Sequence, residues 1–212
     1  MNEITVELLS LYESIRADIV RRVDELSRPR NDAGMFEELA FCLCTPQSSA
    51  RRCFDAVERL KREGLLNGGS AGEIAECIRG DVRFHHTKGK RIVAARGFFF
   101  TGGADRLRAI LAGGDILAAR EWLAGNIKGL GFKETSHFLR NNGYGDRLAI
   151  LDRHVQRFLM EAGILERMPS SIDRKLYLSI EEKMTKFADS IRISLGHLDF
   201  VLWYRLKSEI FK

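Results

Sequence analysis

Between Glu121 and Asn141 the sequence reads EWLAGNI, KGLGF, KETSHFLRN, which is a helical pattern, a five-residue turn and a second helical pattern. No other stretch restricts the fold so tightly. Gly129 and Gly131 can take positive φ without a Cβ penalty. A turn of that kind points successive backbone N–H groups outward at the start of the second helix. Free amides at the positive end of a helix dipole make an anion site that needs no side chain. Trp122, Leu123 and Ile127 before the turn, Leu130 and Phe132 within it, and Phe138 and Leu139 after it let the hairpin pack as a unit. A plain helix–helix connection uses glycines in the same way, so the hairpin by itself leaves two readings open.

The remainder of the chain has the helical period. Leu8, Leu11, Tyr12, Ile15, Ile19 and Val23 recur at three- and four-residue spacing and predict an amphipathic helix over 3–26. SRPRNDAG ends it, and residues 35–44 predict a more deeply buried helix. After Thr45-Pro46-Gln47, Ser48 or Ser49 is placed to cap a helix that stops at Gly64. A short helix is expected around 74–79, then a loop over 82–89 and a helix over 90–100 with Ile92, Val93, Phe99 and Phe100 turned inward. Short helices over 104–112 and 115–126 precede the hairpin. Helices at about 153–162 and 173–187 and a last one from His197 complete an all-α pattern, with no strand-period alternation and no fixed-length repeat.

Composition agrees. The 212 residues are 45% hydrophobic, enough for a core in one domain or two small lobes, and the three prolines favour helices. A net charge of +5 is compatible with a polyanionic partner without requiring one. The cysteines, Cys42, Cys44, Cys53 and Cys77, contain no C-x-x-C pair, so buried free thiols in a reducing compartment are expected rather than a metal cluster. MNEITVELLSLYE mixes acids into its apolar residues, unlike a signal peptide. No apolar run reaches the ~20 residues of a membrane span. A cytoplasmic protein with no membrane association is the expectation.

Lys133 lies just past the turn, where the helix dipole disfavours a cation. An ordinary lysine with a pKa of about 10.4 offers almost no free amine at neutral pH. A nucleophilic lysine therefore needs such an environment, with desolvation. Nineteen positions on, Asp152 follows the apolar run Leu148-Ala149-Ile150-Leu151 and opens the next helix. It reads either as an N-cap alone or as a fixed carboxylate that accepts a proton or steadies positive charge on a sugar.

KGLGFK followed by ILDRHV resembles the helix–hairpin–helix and Gly/Pro/Asp signature of the base-excision DNA glycosylases. The family motif reads L-P-G-V-G-x-K, and here Lys128 takes the proline place. The resemblance implies that Lys133, rather than Lys128, is the Schiff-base lysine, that Asp152 is the family's aspartate, and that His154 is a phosphate contact. LAFCLCTPQSSARRCFDAVERL resembles the early helix–loop–helix whose loop fills the gap left by a flipped base, which places Gln47 there. Nothing after Cys77 could ligate the iron–sulfur loop of the endonuclease III branch. The segment VRFHHTKGKRI and the ending LGHLDFVLWYRLKSEIFK look most like the archaeal-type 8-oxoguanine glycosylase/lyases. That likeness implies a base sandwiched by Phe84 and Trp203 with Lys212 at its edge, although core packing is the plainer role for both aromatics.

The implied architecture is two helical lobes with an active-site cleft between them. The N- and C-terminal helices would share one lobe and the middle helices the other, in a single unit over 1–212 with the helix–hairpin–helix at about 115–142. The implied activity is excision of 8-oxoguanine from duplex DNA through a lysine Schiff base, followed by strand cleavage by β-elimination. Gly129, Gly131, Lys88, Lys90 and Arg91 would hold duplex DNA carrying the lesion or an abasic site. No metal or organic cofactor is implied, and a monomer at the nucleoid of a prokaryotic-type cell is expected. The competing expectations are a glycosylase for another oxidised base, a non-catalytic helix–hairpin–helix DNA-binding module, and a purely structural helical protein.

Overall fold

The computed structural model describes residues 3–211, and among them the chain consists of helices and their connections, with no strand. It divides into two compact units, one made of Met1–Arg28 and Leu139–Lys212, the other of Pro29–Phe138.

In the second of these units, α2 (Asp32–Cys44) is buried almost all round, as its apolar sequence requires. Asn31 caps it by accepting from the Gly34 amide at 2.9 Å. Helix α3 (Ala50–Arg62) packs on α2 through Cys53, Ala56, Val57 and Leu60. Its N-cap, Ser49, makes no side-chain capping bond. The one-turn α4 (Leu65–Gly68) leads to α5 (Ala71–Cys77), which Ser70 and Glu73 start with a reciprocal capping box. Helix α6 (His85–Phe98) packs against α5 and α2. It begins five residues earlier than expected, so residues 85–89 of the predicted 82–89 loop are helical.

A π-turn over Phe99–Gly103 joins α6 to α7 (Ala104–Ala112). There the expectation for the Phe triple needs correction. Phe99 is buried against Phe36 at 5.9 Å, whereas Phe100, although its ring also lies 5.3 Å from that of Phe36, is 46% exposed. Helices α8 (Ile116–Asn126) and α9 (Phe132–Asn141) complete this part of the chain, and α9 runs on into the other unit.

In that other unit, α1 (Glu3–Leu26) buries Leu8, Tyr12, Ile15 and Ile19 on the expected stripe and packs against α12 (Leu195–Lys207). Helices α10 (Arg153–Glu161) and α11 (Arg174–Ser190) also pack on α12. Burial of a leucine- or phenylalanine-sized side chain contributes about 1.5–3 kcal/mol, so Leu198, Phe200 and Val201, each at most 1% exposed, anchor this core. Arg140 and Asp199 pair at 3.1 Å in the same unit, with the guanidinium over the Phe200 ring. No helix of the described residues is long and apolar enough to cross a membrane.

Candidate active site and nucleic-acid interface

Helix α8 ends at Asn126, the Leu130 amide donates to the Ile127 carbonyl at 3.1 Å, and α9 starts at Phe132. The two glycines of this hairpin do different things. Gly129 is left-handed at φ +103, and a Cβ built there would lie 2.5 Å from Cδ of Arg91. Only glycine combines that conformation with the passage of the arginine stem. Gly131 is not among the positive-φ residues, which corrects the expectation that both glycines are left-handed. Its amide is occupied, donating to Glu134 Oε2 at 3.2 Å.

Behind the hairpin, Arg120 is 1% exposed, with its guanidinium 4.9 Å from the Phe132 ring and Nη1 3.4 Å from Ser136 Oγ. It is not among the site residues expected from the sequence. Its place four residues after Ile116 and three before the buried Leu123 was the available signal.

Lys133 stands on the first turn of α9, as its spacing from the turn predicts. Its Nζ lies 3.1 Å from Glu134 Oε1, so Glu134 spans the hairpin amide and the lysine with its two oxygens.

Asp152 is the N-cap of α10. Its Oδ1 accepts from the His154 and Val155 amides, both at 2.8 Å. Oδ2 accepts no hydrogen bond from the described residues, so the cap occupies half of the carboxylate and leaves half available. The run that aims it, Leu148–Leu151, is buried without being helical, and its backbone groups therefore need side-chain partners. Glu181 Oε1 accepts from the Ala149 amide at 2.9 Å, the Tyr177 hydroxyl donates to the Ala149 carbonyl at 2.6 Å, and Gln156 Nε2 donates to the Leu151 carbonyl at 2.9 Å. These three positioning residues were also missed. Tyr177, Ile180, Glu181 and Met184 share one buried face of α11, and a glutamate on an apolar face was the clue to the strut.

Gln47 is exposed at φ 57, and Phe84 is 56% exposed at φ 59 immediately before α6, with Arg83 over its ring at 5.6 Å. Phe84 is therefore no core residue in this chain. Trp203 is half-buried, its ring centroid 6.4 Å from that of Phe211, and its buried Nε1–H has no acceptor among the described residues. His154 and Lys90 are exposed, and Arg91 crosses the hairpin at Gly129. Lys212 lies outside the described residues.

Lys88 departs from its expected role. It is 2% exposed, and its ammonium donates to the carbonyls of Cys44 and Pro46, both at 2.7 Å, and to Ser48 Oγ at 3.1 Å. Burial holds its pKa below the usual lysine range, opposed by the nearby Cys44 and Cys53 thiols. With three donors and three acceptors satisfied inside the protein, it offers nothing to a phosphate. Lys88, Ile92, Ala95 and Phe99 lie on one face at spacings of four, three and four. The apolar stripe extended one turn backward would have placed the lysine inside.

An all-α chain with a glycine hairpin, a lysine on the first turn beyond it and a half-engaged aspartate cap defines a helix–hairpin–helix protein equipped with groups that nucleic-acid binding alone does not need. The chain belongs to the helix–hairpin–helix 8-oxoguanine DNA glycosylase family, whose model matches residues 18–193. It is 35% identical to the 8-oxoguanine DNA glycosylase/AP lyase of Fusobacterium nucleatum, covering 100% of this chain and 99% of that one. The 8-oxoguanine DNA glycosylase of Thermotoga maritima superimposes with a TM-score of 0.89 at 32% identity, covering 99% of each chain. The Methanocaldococcus jannaschii 8-oxoguanine glycosylase/lyase, solved with a 15mer DNA containing 8-oxoguanine, gives 0.87 at 28% identity, covering 97% of this chain and 100% of that one.

Proposed function

We propose that this protein is a bifunctional base-excision repair enzyme, an 8-oxoguanine DNA glycosylase and AP lyase acting on duplex DNA. The observation that carries the reading is Lys133 on the first turn after the hairpin, in a chain whose full-length relatives are named for this pair of activities. The lesion nucleotide leaves the stack, at a cost of a few kcal/mol that is least for a damaged or mispaired base, and Gln47 fills the vacancy. Gly129, Arg91, Lys90 and His154 hold the backbone. Phe84 and Trp203 receive the base, with Lys212 at its edge.

Neutral Lys133 attacks C1′ as the bond to the base breaks and the base leaves with a proton. Asp152, through its uncommitted oxygen, balances positive charge on the sugar and relays that proton. Ring opening gives an imine between C1′ and Nζ. Loss of a C2′ proton then expels the 3′ phosphate, cleaving the strand. Each step uses groups of this chain and the substrate.

Borohydride reduction of the imine tests the reading. Wild-type protein with an 8-oxoguanine duplex should form a covalent complex, and Lys133→Gln should form none. Trapping that survives in the variant would remove Lys133 as the nucleophile. Trapping only with another oxidised base would change the lesion, and an absence of base release from a whole panel of lesions would leave a DNA-binding module.

A further inference from the structure

Two residues expected to meet the extruded nucleotide and its vacated space, Gln47 and Phe84, share an unusual backbone state. They are the only described non-glycine residues of Pro29–Phe138 with positive φ. For a bulky side chain that conformation is costly and persists only where surrounding contacts enforce it. Gln47 sits at the third position of a tight turn, closed by the Ser48 amide donating to the Thr45 carbonyl at 3.0 Å. Pro46 presets the second position, but the third calls for glycine or asparagine when φ is positive. Phe84 precedes α6, and its carbonyl accepts the first α6 backbone bond, from the Lys88 amide at 3.0 Å.

One clasp joins the two. From α6, the Lys88 ammonium reaches the Cys44 and Pro46 carbonyls on either side of Thr45, and also the Ser48 hydroxyl oxygen. The same oxygen accepts from the backbone amide of Arg83, the residue before Phe84, at 2.9 Å. The Cys53 thiol donates to the Cys44 carbonyl at 3.1 Å and closes the far side. Every polar contact of the buried ammonium is therefore spent on the Gln47 turn, and Ser48 passes the tie on to the Phe84 turn.

We propose that Lys88, through Ser48, is a positioning residue that holds the Gln47 wedge and the Phe84 platform in one fixed arrangement before DNA arrives. The proposal rests on the glycosylase reading for the roles of Gln47 and Phe84, while the clasp itself rests on the contacts alone. A preformed wedge is useful where an intact base must be driven from the stack. It is of little use at an abasic site, which has no base to unstack.

The test compares Lys88→Met, Gln47→Ala and the double variant with wild type in two single-turnover assays, base release from an 8-oxoguanine duplex and strand cleavage at a preformed abasic site. Lys88→Met should slow base release at least tenfold and change abasic-site cleavage less than threefold. The double variant should be no slower than the slower single one, because coupled residues do not add. Equal loss in both assays, multiplicative effects in the double variant, or a wild-type rate would overturn the proposal.

Amide hydrogen exchange of residues 45–49 and 83–88 reads the clasp independently of activity. Exchange should quicken at both turns in Lys88→Met, and unchanged protection would sink the clasp even in an enzyme that works on a different lesion. If Lys88→Met does not fold, Ser48→Ala keeps the lysine and its two carbonyl acceptors. It should show the same rate split at smaller size and faster exchange at the Arg83 amide, and a wild-type pattern there would overturn the proposal equally. Wild-type protein that releases no base while the exchange result holds would locate the failure in the glycosylase reading instead.

Discussion

Glu134 Oε1 lies 3.1 Å from Nζ of Lys133, while its Oε2 accepts from the Gly131 amide. A carboxylate thus occupies the hairpin amide that the proposed phosphate contact would use.

The first prediction concerns that carboxylate. Glu134→Gln keeps an acceptor for the Gly131 amide and removes the charge that a phosphate would meet. Duplex affinity should rise a few-fold at low salt and converge with wild type as salt screens the difference, about a 10 Å screening length at 0.1 M. Stability should change by less than about 1 kcal/mol, whereas Glu134→Ala, which removes the side-chain cap and leaves the exposed amide to water, should lose about 1 kcal/mol. Fluorescence anisotropy over a salt series reads the first effect, and equal affinity at every salt would show that DNA does not approach the carboxylate.

The cap of Asp152 and its proposed catalytic role divide by oxygen atom, Oδ1 serving the cap. Asn caps helices about as well as Asp, so Asp152→Asn should retain the bonds to the His154 and Val155 amides and stay within about 0.5 kcal/mol of wild-type stability. Base release should nevertheless fall by about 100-fold or more, with duplex affinity changed only a few-fold. Asp152→Ala should additionally lose about 1 kcal/mol of stability. Full turnover in the Asn variant would leave the residue as a cap and nothing else.

The hairpin glycines should also respond unequally. Gly129→Ala forces a Cβ into the left-handed region and against Arg91 at 2.5 Å, a cost of about 2 kcal/mol or more. It should weaken duplex binding, since the arginine is displaced as well. Gly131→Ala meets only the flexible end of Glu134 at 3.2 Å and should cost under about 1 kcal/mol. Chemical denaturation of the two variants side by side decides this, and equal losses would contradict the distinction.

The helical architecture was legible because its period is written in side chains. Leu8, Tyr12, Ile15 and Ile19 mark α1 without any help from tertiary structure, and Lys133 followed from counting past a turn. What escaped was of two kinds. Polar residues on apolar faces, Arg120, Glu181 and Lys88, look like interruptions of a pattern until the groups they contact are known. Those groups belong to segments distant in sequence, the Cys44–Ser48 turn lying some forty positions before Lys88. The second kind is conformational. Nothing in the letters FHHTK announces that Phe84 is left-handed and that a helix starts directly after it, because the tie at this turn, from the amide of the preceding Arg83 to the Ser48 hydroxyl, reaches a residue distant in sequence. The same contacts explain why a lysine expected to face DNA is buried.

The last prediction is a pH dependence far from the hairpin. His197, in the first turn of α12, shares a 2.8 Å hydrogen bond between its Nδ1 and the Tyr12 hydroxyl of α1. Its pKa is lowered from the ordinary 6.5, mainly by burial, with Arg16 acting in the same sense and Asp146 opposing. As pH falls through about 6.5 the unfolded chain takes up a proton that the folded protein does not, so the unfolded state gains. Stability should therefore decline from about pH 6.5 downward, and this contribution should stop changing once the pH lies below the depressed folded value. Carboxylates that are paired in the folded protein add their own acid loss at lower pH, so the histidine is isolated by difference. His197→Gln should lower the melting temperature modestly at pH 7.5, through loss of the ring contact with Tyr12, and should flatten the decline between pH 6.5 and 5. Parallel melting curves for wild type and variant across that window would mean that the Tyr12 contact accommodates the imidazolium as readily as the neutral ring, and the burial argument for this interface would fail.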